Sequence, residues 1–254
     1  MSVTRSIPFP RGPTLPPIDN LGDVAIVRTR PSMSVPRLAQ YVVAKPARRR
    51  ALLRREKYPS PFRTNYAPAK AIFAEALRLG WSEDEVFSIA SERWSRLRLD
   101  TRLAKRRRQS ALDAVVSFAL LLEGLRDSLD SLDATVAIAP KFWMPLTEGG
   151  VRISGAPSLL LKRGPPEKPE FGVISFYCSM TQPFAGSGLA LGALLLHEVA
   201  VVNRARSADR VAEDMCLLVD VFSGKIACAP DAGVFALALF VLGCEEIAAD
   251  WSGA

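Results

Sequence analysis

The chain has 254 residues, of which 49% are hydrophobic, and its 33 lysine and arginine residues outnumber its 26 aspartate and glutamate residues, for a net charge of +7. This length and apolar content suffice for one large or two small domains with a buried core. The four cysteines lie far apart and His197 is the one histidine in the sequence. This pattern excludes a zinc site of the usual spacing and predicts reduced thiols in a cytoplasmic protein without a bound metal.

The charge is unevenly distributed along the chain. Residues 37–108 hold 19 lysine and arginine residues against 7 aspartate and glutamate residues, whereas residues 109–254 hold 10 against 17. A basic segment of this size predicts a polyanionic partner, either DNA or RNA.

Residues 1–35 are rich in proline, which disfavours helices and central strands, and we expect an extended or disordered arm there. Within the arm, Asp23–Thr29 is a candidate edge strand. The N-terminus lacks the apolar core of a signal peptide, and the apolar runs Leu189–Val202 and Ala232–Gly243 are too short to span a bilayer. No membrane partner is therefore expected.

Residues 36–109 are predicted to form a basic helical region. Gly80 has the place of a C-cap, and Ser82 with Glu85 forms a capping box for the helix that follows. The predicted helices are Pro36–Ala44, Ala47–Lys57, Tyr66–Leu79, residues 83 to about 96, and Arg102–Ser128, which continues into the next region.

Arginine dominates two stretches of this region and favours bidentate contact with phosphate. The candidate nucleic-acid contacts are Arg48, Arg49, Arg50, Arg54 and Arg55 in the first stretch and Arg102, Lys105, Arg106, Arg107 and Arg108 in the second. Two other interpretations remain open, namely a solvated helical face and a face docked on the acidic half of the chain.

Residues 110–254 are predicted to form an α/β domain. Its expected elements are strands at Thr135–Ala139, Gly150–Ser154, Ser158–Lys162 and Phe171–Cys178, a buried helix at Gly186–Val202, a hairpin of Met215–Phe222 with Lys225–Ala229, and a closing helix at Ala232–Trp251. The predicted fold class is α+β, with the basic helical N-terminal region packed on a small mixed β-sheet with flanking helices.

The order of elements over about residues 110–230 resembles the core of the PD-(D/E)XK nucleases. That resemblance implies an acid on the second strand and an acid-x-lysine on the third, which together hold a catalytic metal. Here Ser158 stands where the aspartate would be, and residues 171–180 contain neither a carboxylate nor a lysine. The resemblance thus implies a nuclease-like fold that has lost its metal site.

Two segments, VRISGAPSLLLKRG and EFGVISFYCSM, are also similar to a set of uncharacterised bacterial proteins. The family resemblance implies service to a mobile element or a defence system.

Two carboxylates are catalytic candidates. Glu123 lies in an apolar helix and has an ion pair with Arg126 as its alternative role. Asp220 lies in an apolar strand, and its alternative role is to accept hydrogen bonds from the N–H groups of the hairpin near Gly224. His197 and Glu198 are neighbours on a helix, so their side chains are expected to point about 100° apart.

Three glycines, Gly186, Gly188 and Gly192, outline a dinucleotide-binding turn. The turn is too long for that role and no further βαβ units follow. We expect Gly188 and Gly192 to face the sheet instead, and we expect no cofactor.

The sequence thus predicts a non-catalytic nucleic-acid-binding or scaffolding protein. One alternative is a metal-dependent nuclease with relocated acids drawn from Glu123, Glu148, Glu170 and Asp220. Another is a subunit of a protein complex that meets an acidic partner through its basic face.

Overall fold

The structure is a computed structural model that describes residues 27–59, 66–95, 102–140, 143–204 and 210–254, with the backbone alone at 94–95 and 102–107. In these ranges the α-helices are α1 (Val35–Val42), α2 (Pro46–Lys57), α3 (Ala67–Leu79), α4 (Glu83–Ser95), α5 (Arg102–Ser131), α6 (Gly188–Arg204) and α7 (Ala236–Asp250). The strands are β1 (Ser32–Ser34), β2 (Thr135–Ile138), β3 (Leu146–Glu148), β4 (Val151–Ser154), β5 (Leu159–Arg163), β6 (Glu170–Tyr177), β7 (Arg210–Asp220) and β8 (Lys225–Cys228).

The main sheet has five strands in the order β2-β5-β6-β7-β8. Its neighbours are antiparallel except for β6 and β7, which are parallel and are joined through α6. β4 is not part of the main sheet. It lies in a second sheet of three strands in the order β1-β4-β3. The predicted α+β class, with helices packed on small mixed sheets, is confirmed.

Helices cover both faces of the main sheet. On one face, α3, α4 and α5 form a core around Phe73, Phe118 and Phe176. On the other face, α1, α2, α6 and α7 form a second core with the small sheet. Burial from both sides explains why β6 is buried without alternation from Gly172 onward.

The helix signals in the sequence are confirmed where they are local. Gly80 ends α3 in the left-handed conformation, with φ of 70°. The Ser82 hydroxyl accepts the Glu85 N–H at 3.3 Å, and the Glu85 carboxylate accepts the Ser82 N–H at 2.7 Å. The Ser82 N–H and the Ser82 hydroxyl both donate to the Glu85 carboxylate, and these bonds lower the pKa of Glu85 because they favour its charged form.

Several boundaries differ from the prediction. β1 and β3, of three residues each, were not predicted, and most of the candidate strand at Asp23–Thr29 lies outside the described residues. The predicted closing helix is shorter, because a 3-10 turn occupies Ala229–Ala232 and α7 begins at Ala236. α5 runs through residues 109 and 110, where a domain boundary was predicted, and the division of the chain into domains stays a prediction.

The glycines of α6 face different neighbours. A Cβ built on Gly192 would lie 2.4 Å from Leu218 Cδ2 of β7, so this glycine faces the sheet as predicted. The prediction for Gly188 was wrong, because its Cβ would lie 3.0 Å from Val43 Cγ2 and 3.2 Å from Phe184 Cδ1. Gly188 therefore gives room to the segment after α1 and to the loop that precedes α6.

Candidate nucleic-acid interface and strand-edge cluster

The exposed side of α2 is an arginine surface. Proline stands at the start of the helix, and Leu52, Leu53 and Glu56 turn inward. The opposite side exposes a set that we name the α2 arginine face, Arg48, Arg50, Arg54 and Arg55. The one carboxylate of α2 is the buried Glu56, so α2 places no negative charge on this face.

Ion pairs of Glu56 connect α2 to neighbouring elements. Its side chain is 3% exposed, and its carboxylate lies 3.1 Å from Arg28 Nη1 and 3.6 Å from Arg37 Nε. A buried carboxylate needs such partners, since its desolvation is costly without them. The pairs hold α2 against α1 and against the segment that leads into β1.

Two cations of the first basic stretch have structural roles. Arg49 donates to the carbonyl oxygens of Val42 and Ala44 at 2.9 and 3.0 Å, and its guanidinium also pairs with Glu246 of α7. Lys57 Nζ donates to the carbonyl oxygens of Trp251, Ser252 and Ala254. Arg49, which the sequence predicts as a nucleic-acid contact, therefore joins helices and is not part of the α2 arginine face.

The second basic stretch lies at the start of α5, in the other helical layer. The side chains of Arg102, Lys105, Arg106 and Arg107 lie outside the description, so their predicted contacts stay predictions. Arg108 is partly buried, and its Nε is buried without a partner among the described groups. α2 and α5 pack in different cores on opposite faces of the main sheet, so the two stretches do not share one helical layer.

The carboxylates considered for metal binding lie on separate elements. Glu123 is exposed on α5, Glu148 lies on β3 and Glu170 starts β6, where Arg163 holds it at 2.7 Å. Asp220 ends β7. Within the described residues, no group of three or more His, Cys, Asp or Glu side chains could hold a metal ion.

The expected partners of two of these acids were wrong. Within the described part of the chain, Glu123 forms no ion pair with Arg126, whose guanidinium donates instead to the carbonyl oxygen of Trp81. Asp220 does not accept the N–H groups of the hairpin. Its Oδ2 accepts the Phe184 N–H at 3.4 Å, and its Oδ1 is buried without a hydrogen-bond partner.

The loop between β6 and α6 is held over the carboxyl end of the strands by a hydrogen-bonded network. Gln40 Nε2 donates to Tyr177 Oη at 2.8 Å and to the Gln182 carbonyl at 2.7 Å. The Tyr177 hydroxyl donates to the same carbonyl at 2.6 Å. Together with Asp220, these groups form what we call the strand-edge cluster. No sequence pattern singled out Gln40 or Gln182, since they contact the cluster only through the fold.

On the side of α3, Lys70 approaches the end of β6. Burial of its ammonium group lowers the pKa of Lys70, while the nearby Cys178 opposes that shift. Burial also raises the pKa of Cys178 to about 11, against the attraction of Lys70. Cys178 therefore stays a thiol at neutral pH and is a poor nucleophile.

We expect Lys70→Met to stabilise the protein at pH 7 and to lose this advantage as the pH rises toward 10. The folded state disfavours charged Lys70, so the folded pKa is lower than the unfolded pKa of about 10.4. Between these two values the unfolded state binds more protons, and the stability of the wild type rises with pH. Urea unfolding of both proteins at pH 7 and pH 10 measures the difference.

The exposed Lys162 provides the control, since Lys162→Met should give the same small change at both pH values. An advantage of Lys70→Met that is equal at pH 7 and pH 10 would show that the ammonium group is not desolvated in the folded protein.

His197 and Glu198 contact each other, although neighbouring side chains on a helix were expected to diverge. His197 Nδ1 lies 3.1 Å from Glu198 Oε1, and the histidine is buried in the layer of α6. The pair therefore belongs to the packing of α6.

Comparison of the sequence with models of known protein families gives no match, and comparison with curated proteins gives no match either. Among the helices that the structure describes, none has both the length and the apolar content needed to cross a membrane.

Proposed function

We propose that the protein binds nucleic acid without cleaving it, as a DNA- or RNA-binding or scaffolding protein of the cytoplasm. The observation that carries the proposal is the α2 arginine face, four exposed arginines spread over the outward half of a helix whose one carboxylate is buried. Arg48 and Arg55 are seven residues apart, a rise of about 10 Å along the helix axis. Arginines spread over this length can contact more than one phosphate of a strand.

The rigid attachment of α2 supports the proposal. Glu56 binds Arg28 and Arg37 on the inner side of the helix, while Arg49 and Lys57 bind carbonyl groups near its two ends. A helix fixed in this way presents its outer arginines at defined positions. Binding then requires ordering of the arginine side chains alone, which reduces its entropic cost.

We also propose that the main sheet is a PD-(D/E)XK-like core that lacks its catalytic acids, and the order of its elements supports this. With β3 and β4 in the small sheet, α5 is followed by β2, β5, β6, α6 and β7. Glu170, the carboxylate on β6, is bound by Arg163 and Arg210 at 2.7 and 3.1 Å. Ion pairing of this kind competes with metal coordination and favours a non-catalytic role.

We expect the triple variant Arg48→Ala, Arg50→Ala, Arg54→Ala to bind nucleic acid at least about tenfold more weakly than the wild type and with a salt slope smaller by about 3. Each lost arginine removes one phosphate contact and the counterion that this contact releases. Fluorescence anisotropy with a single-stranded DNA, a double-stranded DNA and a single-stranded RNA, each at about 50 and 200 mM salt, measures both quantities.

The control removes the same charge elsewhere, from three exposed cations, in the variant Arg78→Ala, Lys162→Ala, Lys225→Ala. Equal losses in both variants would show that net charge, and not the α2 arginine face, drives binding. Absence of any binding at low salt would refute the proposal.

Two further outcomes would favour the alternatives. Cleavage in Mg²⁺ or Mn²⁺ that Asp220→Ala or Glu123→Ala abolishes would favour a nuclease. Binding of polyglutamate that is as tight as that of nucleic acid, and equally sensitive to the α2 variant, would favour an acidic protein partner.

A further inference from the structure

On the side of the main sheet opposite to α2, a groove runs between α5 and the turn that joins β7 to β8. Its volume is about 420 Å³. Leu120 and Gly124 line it on α5, and Phe222 and Ile226 line it on the hairpin. We call it the α5 groove. It is independent of the α2 arginine face, because the two surfaces belong to different helical layers.

Gly124 has no packing reason to be glycine. It lies inside α5, where glycine weakens a helix because its backbone loses more conformational freedom on folding. A Cβ built on Gly124 would have no heavy atom within 4 Å, whereas one on Gly172, Gly192 or Gly243 would lie within 3 Å of a neighbour. The absence of a side chain at 124 therefore leaves space in the α5 groove that the described residues do not fill.

Apolar side chains lie exposed at the same place. Leu120 is 76% exposed and Val116 is 47% exposed. The two residues are four positions apart, so they lie one turn apart on one side of α5. Burial of such side chains against an apolar partner would be favourable.

Carboxylates outnumber cations around these apolar side chains, where the exposed Lys225 of β8 stands between the lining residues Gly224 and Ile226. Glu123 and Asp127 are exposed on α5, three and seven residues after Leu120, and therefore lie on the same side of the helix. Asp113, seven residues before Leu120, adds a third carboxylate and accepts a hydrogen bond from Gln109 at 2.8 Å. A groove with exposed apolar side chains on α5, and with three carboxylates against one lysine beside it, suits a cationic partner and disfavours nucleic acid.

We propose that the α5 groove binds an amphipathic segment of a partner protein in which basic side chains flank leucine-like ones. The apolar side chains of the segment fill the space over Gly124 beside Leu120, and its lysine or arginine residues pair with Glu123 and Asp127. This arrangement is the helix-in-groove mode of peptide recognition.

The probe is a synthetic peptide of about 15 residues, built from leucine and lysine in a helical pattern. One matched peptide has glutamate in place of every lysine, and another has serine in place of every leucine. Fluorescence anisotropy with the full chain should give a dissociation constant for the leucine–lysine peptide at least about tenfold below that of either matched peptide.

Two kinds of variant locate the site. Gly124→Leu fills the groove and should weaken binding of the leucine–lysine peptide at least about tenfold. Glu123→Lys with Asp127→Lys, both at exposed positions, should weaken it similarly and does not depend on how the groove variant folds. The matched controls lie on α7, where Leu239→Ser with Leu242→Ser and Glu245→Lys with Asp250→Lys remove exposed leucines and reverse exposed acids.

The proposal is supported if the α7 controls change the dissociation constant of the leucine–lysine peptide by less than about twofold while both α5 variants weaken its binding. Equal affinity for the glutamate peptide, or retention of binding by either α5 variant, would overturn it. A concentration-dependent dimer of the wild type that Gly124→Leu disrupts would also overturn it, because the groove would then hold a second copy of the chain. None of these outcomes depends on nucleic-acid binding by α2.

Discussion

Gly172→Ala should destabilise the protein by about 3 kcal/mol or more, the upper end of the range for overpacked sites. A Cβ on Gly172 would lie 2.2 Å from Met215 Cβ, 2.3 Å from Met215 O and 2.7 Å from Met215 C. These contacts are far closer than van der Waals separation, and two of the three involve backbone atoms that no rotamer change can move. The ladder between β6 and β7 is irregular at this point, between Phe171 and Val173.

The entropic gain from replacing glycine by alanine is too small to offset the clash with Met215. Alanine loses less conformational entropy than glycine on folding, a gain of roughly 0.5–1 kcal/mol. Relief of the clash requires separation of β6 from β7 at the centre of the main sheet. Urea unfolding followed by circular dichroism gives the free energy of unfolding for the comparison.

Gly124→Ala is the matched control, since it makes the same chemical change where nothing lies within 4 Å. It should stabilise the protein by about 0.5–1 kcal/mol through helix propensity. Opposite signs for the two substitutions would confirm that close approach to Met215 is the cause. If the Gly172→Ala variant unfolds at the same urea concentration as the wild type, then β6 and β7 are not packed in this way.

The parts of the fold that were predictable from the sequence depend on neighbouring residues. The end of α3 at Gly80 and the start of α4 at Ser82 and Glu85 follow from groups within one helical turn of each other. The hairpin of β7 and β8 likewise follows from a short turn at Ser223–Gly224 between two apolar runs.

The parts that were not predictable depend on residues far apart in sequence. β1 pairs with β4 across more than a hundred residues, and neither three-residue strand of the small sheet carries a period that identifies it. The partner of Asp220 is Phe184, in a loop that only the crossover of α6 brings to β7. Sequence patterns indicate which residues are apolar or polar, but they do not indicate which distant residues pair with each other.

The sequence of α2 indicates which of its arginines faces inward. Arg49, Leu52, Leu53 and Glu56 are spaced i, i+3, i+4 and i+7, which places Arg49 on the inner side of α2 with the two leucines. This spacing alone separates Arg49 from the exposed arginines. The salt-bridge partners of Glu56, by contrast, come from α1 and from the segment before β1, and the sequence does not indicate them.

Phe176→Ala should destabilise the protein by about 3–5 kcal/mol, the range for loss of a buried phenylalanine. Phe176 of β6 is fully buried between α3 and α5. Its ring meets those of Phe73 and Phe118 edge-on, with centroids 5.3 and 5.8 Å apart, while Phe73 and Phe118 stack at 4.2 Å. Removal of this ring leaves a cavity among rigid elements that cannot close over it, which adds to the lost hydrophobic transfer energy.

Phe235→Ala is the control for the same chemical change, because Phe235 is 77% exposed just before α7. Its effect on the free energy of unfolding should be within about 0.5 kcal/mol of zero. Below the urea concentrations at which it unfolds, the Phe176 variant should bind nucleic acid as the wild type does, since the α2 arginine face belongs to the other core. A Phe176 variant as stable as the Phe235 variant would mean that the three rings are not the centre of the core between the main sheet and α3–α5.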